Sequence, residues 1–100
     1  MKKQKPISLR IPSELYHQAQ QAAKGYGISF NALALIAIEA YIQGQGAKPV
    51  QFVSKSFKRT GIRLSGQMNT KLDVYAKEQG LTKNAVVVLA LESYLEGNKE

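Results

Sequence analysis

Arginine side chains at matching places in two similar segments are the residues of this sequence best suited to specific chemistry. Arg10 lies in the segment ISLRIP, and Arg63 lies in the segment TGIRLS. An arginine guanidinium carries a permanent charge and a planar fork of N–H donors that can grip paired acceptor atoms. Residues for catalysis are scarce by comparison, because the chain has no cysteine and a single histidine, His17. It also has no Ser/His/Asp, paired-carboxylate or phosphate-loop pattern, so we expect a binding protein and not an enzyme.

The composition is that of a small basic domain. The chain has 100 residues, with 14 Lys and Arg against 7 Asp and Glu, a net charge of +7 and a pI near 9.8. Hydrophobic residues make up 44%, which is enough for a packed core. The basic start is not followed by the apolar segment of a secretory signal, and the apolar stretches 32–42 and 85–95 are too short to span a bilayer. We therefore expect a cytoplasmic protein with no metal, cofactor, small-molecule ligand or membrane partner.

The second half of the chain repeats the first at a constant offset of 53 residues. The match continues without a gap through two helix-like segments and the turn between them. Identical pairs include Arg10 and Arg63, Ala23 and Ala76, Lys24 and Lys77, Gly27 and Gly80, Asn31 and Asn84, Ala37 and Ala90, Glu39 and Glu92, and Tyr41 and Tyr94. Such a match indicates a tandem duplication. The predicted organisation is a first unit at 1–42, a linker at 43–56 and a second unit at 57–100.

Each unit begins with a predicted short strand. Apolar residues alternate with polar ones over 7–11 and again over 60–64, a pattern typical of a strand with one buried face. Pro12 ends the first strand. Ser13 and Ser65 are predicted to cap the helices that follow, because a serine hydroxyl can accept from the free N–H groups of a first turn.

Two helices follow the strand in each unit. The first is amphipathic and is predicted to stop at Gly27 or Gly80, whereas the second is capped by Ser29 or Thr82. Both second helices are apolar around nearly their whole circumference, so they must be buried from several sides. One unit alone is too small to enclose such a helix. We predict a mainly α protein with a short antiparallel β-ribbon, in which two strand–helix–helix units share one core around a pseudo-two-fold axis.

This pattern resembles the ribbon-helix-helix family of DNA-binding proteins, the MetJ and Arc type. The stretches ISLRIPSELYHQAQQAAKGYGISFNALALIAIEAYI and TGIRLSGQMNTKLDVYAKEQGLTKNAVVVLALESYL carry the resemblance, which covers most of the chain. Two copies in one chain are similar to the tandem members of that family, of which the TraY-like relaxosome accessory proteins are an example. The resemblance implies that the ribbon enters the major groove of double-stranded DNA and that strand residues facing away from the core read base edges.

The resemblance also implies two sets of contact residues. The base-contacting set, chosen by strand parity, is Ser8, Arg10, Arg59, Gly61 and Arg63. The phosphate-contacting set lies at the start of each second helix and beside the strands, and consists of Ser29, Phe30, Asn31, Thr82, Lys83, Asn84, Lys5 and Lys58. Lys2, Lys3 and Lys55 are further candidates. Gly61 departs from the long polar side chains usual in the family, and Lys83 adds a charge that Phe30 lacks, so unequal half-sites are expected.

The expected function is sequence-specific binding of double-stranded DNA. The expected role is that of a transcriptional regulator or autorepressor, or that of an accessory factor in plasmid transfer. Candidate protein partners are a relaxase and further copies of the chain on adjacent sites. The alternative is an architectural protein that binds nucleic acid by charge without reading bases. The linker residues 50–53 could add a strand or pack on the core. Glu39 and Glu92 are expected at the solvent end of their helices.

Overall fold

A strand and two helices occur twice along the chain. The computed structural model describes residues 5–44 and 56–97. The elements, in chain order, are β1 (Lys5–Pro12), α1 (Ser13–Tyr26), α2 (Phe30–Ile42), β2 (Phe57–Leu64), α3 (Gly66–Gln79) and α4 (Lys83–Gly97). The prediction of a mainly helical protein with one short two-stranded sheet is confirmed. The linker residues 50–53, expected either to add a strand or to pack on the core, lie outside the described residues.

The two strands form an antiparallel ribbon. Ser8 lies opposite Gly61, and Arg10 lies opposite Arg59. Alternation gives the ribbon two different faces, because successive side chains of a strand point to opposite sides. The apolar face is buried against the helices through Leu9, Ile11, Ile62 and Leu64. The opposite face is open to solvent.

Helix ends follow the signals in the sequence at most places. The hydroxyl oxygens of Ser29 and Ser65 accept from main-chain N–H groups three residues further on, and Thr82 does the same. Gly27 and Gly80 end α1 and α3 with φ of 73° and 70°, the left-handed conformation that a residue with a Cβ adopts at a cost.

The prediction that Ser13 caps α1 is wrong. Ser13 is the first residue inside the helix, and Pro12 occupies the cap position, which is the place that Ser65 holds in the second unit. A proline side chain has no acceptor, so α1 starts without a side-chain cap. Ser13 instead connects the helix start to the residue before β2: its N–H donates to the Ser56 carbonyl at 3.1 Å, and its Oγ accepts from the Ser56 hydroxyl at 3.0 Å.

The second helix of each unit forms the centre of one shared core. α2 packs against α4, α2 also packs against β2, and α4 also packs against β1. The fully buried core residues of the two helices are Leu33, Ala34, Ala37, Ile38, Val86, Val87, Ala90 and Leu91. Burial is not complete around α2, since Ile36 is 46% exposed. Each central helix therefore touches the strand of the other unit.

Glu39 and Glu92 have different surroundings although they are repeat counterparts. Glu39 is partly exposed, accepts from the Gln43 side chain at 3.0 Å and lies 3.8 Å from the Lys71 ammonium. Glu92 is 4% exposed, so its predicted place at the solvent end of the helix is wrong. Among the described side chains, no buried nitrogen or oxygen lacks a hydrogen-bond partner, which makes the burial of a carboxylate tolerable. Burial, the neighbouring Tyr75 and the charge of Glu92 together raise the pKa of the Tyr41 hydroxyl.

Among the described helices, none is both long and apolar enough to cross a membrane. α1 and α2 reach that length and composition only when they are taken together, and the chain bends by 101° between them.

Candidate nucleic-acid interface

The open face of the ribbon carries the residues predicted to contact bases. Ser8, Arg10, Arg59, Gly61 and Arg63 are all exposed. The strand register arranges them in rows across the ribbon, with Ser8 and Gly61 in the central row. Parity along each strand therefore identified the outward positions correctly.

The two ends of this face differ in charge. On one side of the central row, Arg10 lies directly opposite Arg59, whereas on the other side Arg63 lies opposite Pro6. Like charges directly opposite each other in a ribbon are destabilising. The Arg10–Arg59 end therefore concentrates positive potential, and the repulsion slightly lowers the stability of the free protein.

Phe57 is a neighbour of Arg10 that is not among the predicted contact residues. Its ring is 50% exposed, and the Arg10 guanidinium carbon lies 5.4 Å from the ring centroid, within the range of a cation–π contact. The available signal was parity, since Phe57 stands two positions before Arg59 on the same face. The contact holds the Arg10 side chain over the end of the ribbon.

Gly61 leaves the centre of the face without a side chain. Its backbone conformation does not require glycine, and a Cβ added there would lie 3.4 Å from the Ile7 carbonyl oxygen, at the edge of ordinary contact. The position therefore tolerates alanine in the free protein. What the glycine provides is space above the ribbon.

Asn31 and Asn84 join the starts of α2 and α4 to the strands. The Asn31 amide oxygen accepts from the Arg63 N–H at 2.7 Å, and its amide nitrogen donates to the Arg63 carbonyl at 3.3 Å. Asn84 makes the same pair of bonds to Arg10, at 2.7 and 3.0 Å. We call these two arrangements the asparagine clamps. Each clamp connects the helix of one unit to the strand of the other.

The clamps also locate the predicted phosphate-contacting helix ends. The Ser29 and Thr82 hydroxyls cap the N–H groups of Ala32 and Ala85. The first N–H groups of an α-helix have no acceptor within the helix, and they lie at the positive end of its dipole. Because of the clamps, the start of α2 stands beside β2 and the start of α4 beside β1. The structure thus brings each helix start next to an outward arginine.

The second residue of each predicted phosphate trio has a partner within the protein. The Phe30 ring packs on Tyr16 at a centroid distance of 5.0 Å. The Lys83 ammonium donates to the Asn69 side-chain oxygen at 3.1 Å and lies 4.0 Å from an Asp73 carboxylate oxygen. The charge of Lys83 is therefore partly compensated in the free protein.

The lysines beside the strands are described only in part. Lys58 is exposed, and its ammonium lies 5.8 Å from the centroid of the Tyr16 ring. Lys5 opens β1 opposite Leu64. Lys2, Lys3 and Lys55 lie outside the described residues. Within the described ranges, no group of three or more His, Cys, Asp or Glu side chains could hold a metal ion.

No family model, curated protein or solved structure matches this chain.

Proposed function

We propose that this chain is a sequence-specific double-stranded DNA-binding protein of the tandem ribbon-helix-helix type, which inserts its two-stranded ribbon into the major groove. The observation that carries the proposal is the open ribbon face, on which Arg10, Arg59 and Arg63 are exposed while the opposite face forms the core. The major groove is about 12 Å wide and admits a two-stranded ribbon. Guanidinium groups on such a ribbon can bind guanine O6 and N7 in pairs.

The strand register supports an intramolecular dimer with a pseudo-two-fold axis. Ser8 lies opposite Gly61 in the ribbon, and Gly61 is also the residue that matches Ser8 at the repeat offset of 53. A two-fold axis relating the units must pass through such a pair. The asparagine clamps obey the same relation, because Asn31 bonds Arg63 and the counterpart Asn84 bonds Arg10. One chain thus supplies the two halves that separate subunits would supply in a dimer.

The helix starts support anchoring on the DNA backbone. Free N–H groups and the positive end of a helix dipole favour the binding of a phosphate. The start of α2 lies beside β2 and the start of α4 lies beside β1, so the two helix starts stand at opposite edges of the ribbon. A net charge of +7 adds attraction that does not depend on sequence. Backbone contacts of this kind fix the protein on the duplex, while the ribbon reads bases.

The proposed biological role is cytoplasmic and takes one of two forms. One is transcriptional regulation, including repression of the chain's own promoter. The other is assistance to a relaxase at a plasmid transfer origin, with further copies of the chain on adjacent sites. An architectural protein that binds DNA by charge alone is the alternative, and it is favoured by the general excess of lysine and arginine.

Selection from a random duplex pool tests the proposal. The protein is incubated with the pool at moderate salt, bound DNA is recovered and sequenced, and the mass of the free protein is measured in parallel. We expect enrichment of one short motif, together with the mass of a single chain. Tight, salt-sensitive binding without enrichment would support the architectural alternative instead. The position of the enriched motif in the genome, at a promoter or a transfer origin, separates the two roles.

A further inference from the structure

The amide of each clamp asparagine fits one residue of the opposite strand. An asparagine side chain offers one acceptor oxygen and one donor nitrogen in a plane, which is the complement of a main-chain N–H and C=O. Asn31 uses both on Arg63, and Asn84 uses both on Arg10. No other residue type offers the same pair of groups at this length, since aspartate cannot donate when ionised and glutamine is longer by a methylene.

The clamps act at the outer edges of the ribbon. A two-stranded sheet leaves one edge of each strand without a neighbouring strand. The N–H and carbonyl of Arg10 and Arg63 bond to the helix-borne amides, so these amides take the part that a third strand would take. Both peptide groups that flank the arginine Cα are thereby held. The direction in which the arginine side chain leaves the ribbon is fixed with them.

Asparagine stands at the same position in both second helices. Asn31 and Asn84 are each the second residue of a helix. The contact with the strand gives a physical reason for an asparagine there in both copies.

We infer that Asn31 and Asn84 are positioning residues for base reading, each acting on the arginine of the other unit. Asn31 holds Arg63 at a fixed offset from the start of α2, and Asn84 holds Arg10 at a fixed offset from the start of α4. Base reading by one unit is thereby tied to phosphate anchoring by the other. This inference rests on the proposed function.

Each asparagine contacts the arginine of the other unit. Loss of one asparagine should therefore affect the base pair read by that arginine, a result that a purely structural role would not give. The site enriched by selection is first mapped with Arg10→Ala and Arg63→Ala, which identify the base pair that each arginine reads. Binding of Asn31→Ala and Asn84→Ala to the site and to its single-base variants is then measured. We expect Asn31→Ala to reduce discrimination at the Arg63 base pair by at least about twofold, the low end of couplings between residues in contact, with the Arg10 base pair unaffected. Asn84→Ala should give the mirror result.

Double-mutant cycles make the same comparison quantitative. Asn31→Ala combined with Arg63→Ala should be non-additive, and Asn31→Ala combined with Arg10→Ala should be additive. Each asparagine is thus the matched control for the other. Measurements are made where circular dichroism shows every variant to be folded. Any loss of folded protein lowers binding to all sequences alike, so it leaves the discrimination ratio unchanged.

Asn31→Asp provides a second variant if the alanine variant does not fold. Aspartate keeps the acceptor for the Arg63 N–H but adds a negative charge beside the proposed phosphate. Because aspartate cannot donate to the Arg63 carbonyl, we expect a loss of affinity for all sequences together with a further loss of discrimination at the Arg63 base pair, and none at the Arg10 base pair. A uniform loss for both Asn→Ala variants, or a loss at the base pair of the same unit, would overturn the inference while the proposed function stands. Absence of any sequence preference in the unmodified protein would overturn both.

Discussion

Side chains of two kinds contribute to DNA binding in the proposed complex. Arg10, Arg59 and Arg63 on the ribbon face are proposed to contact base edges, whereas Lys83 and the helix starts beside the ribbon are proposed to contact phosphates. Contacts of the first kind discriminate between sequences, and contacts of the second kind hold any duplex. Substitutions at the two kinds of position should therefore have different signatures.

Replacing Arg10 or Arg63 with alanine should remove discrimination at one base pair. Each bidentate contact with guanine contributes roughly 1 to 3 kcal/mol of preference over a wrong base. Binding of each variant to the selected site and to its single-base variants, at fixed salt, gives this value directly. Lys71→Ala is a control that removes the same charge from α3, on the helical side of the molecule, where Lys71 pairs with Glu39. If the control changed base preference as much as Arg10→Ala, the ribbon face would not be the reading face.

Asp73→Asn should strengthen binding to all duplexes alike. The Asp73 carboxylate lies 4.0 Å from the Lys83 ammonium and partly neutralises it, so removing the carboxylate charge frees Lys83 for a phosphate. We expect a gain in binding free energy below about 1 kcal/mol, since both side chains are partly exposed.

Lys83→Ala should weaken binding to all sequences alike and reduce the magnitude of the slope of log affinity against log salt concentration by about 1.

Glu39→Gln is the matched control for Asp73→Asn, because it removes one negative charge that pairs with Lys71 and not with Lys83. An equal gain from Glu39→Gln would mean that only net charge matters. The measurement for both variants is affinity as a function of salt concentration, with the selected duplex and with an unrelated one.

Single helices and strands follow from local signals in the sequence. Strand parity, the glycine stops and the caps at Ser29, Ser65 and Thr82 are readable because each depends on residues within a few positions. The predicted cap at Ser13 fails for a local reason too, because Pro12 holds the cap position and its side chain has no acceptor. The repeat adds the information that single signals lack, since it shows which positions are equivalent.

Contacts between units are not readable in this way. Asn31 meets Arg63, and Asn84 meets Arg10, only because the ribbon register brings the start of one unit's helix to the edge of the other unit's strand. Burial of Glu92 is likewise not readable from local sequence, since its counterpart Glu39 is partly exposed in a similar local sequence. Parity places Phe57 on the ribbon face, but its contact with Arg10 depends on the register because it crosses the ribbon. The candidate residues of the face were thus predictable, and the contacts that hold them were not.

The end of α1 offers a comparison of two neighbouring glycines. Gly27 has a φ of 73°, so Gly27→Ala should destabilise the fold by about 1 kcal/mol, whereas Gly25 lies within α1 with open space around it. Gly25→Ala should instead stabilise the fold by roughly 0.5 to 1 kcal/mol, because alanine favours a helix. Urea unfolding of the two variants measures both. The two changes in the free energy of unfolding should have opposite signs, and a loss of stability in both variants would contradict the assigned helix end.

At the scale of the whole molecule, one core implies one cooperative unit. α2 and α4 lie against each other, and each packs on the strand of the other unit. A change deep in the second unit must then weaken the first. Separate domains joined by a linker would not behave in this way.

Leu91→Ala tests this cooperativity. Leu91 is fully buried in α4, so its truncation should cost about 2 to 5 kcal/mol. Unfolding should remain a single transition, and amide hydrogen exchange should accelerate in α1 as well as in α3. Leu81→Ala, at a position 37% exposed, is the control with a smaller expected loss. Accelerated exchange confined to the second unit would show that the two units are independent.

The unequal ends of the ribbon have a further consequence if the ribbon lies in the groove as proposed. Arg10, Arg59 and Phe57 crowd one end, whereas Arg63 stands opposite a proline at the other. Two identical subunits cannot distinguish left from right on a duplex, because turning them round restores the same complex. This chain can make that distinction, since its halves are different and covalently joined. A bound molecule would then have a single orientation along the DNA, and this orientation would distinguish the upstream flank of its site from the downstream flank.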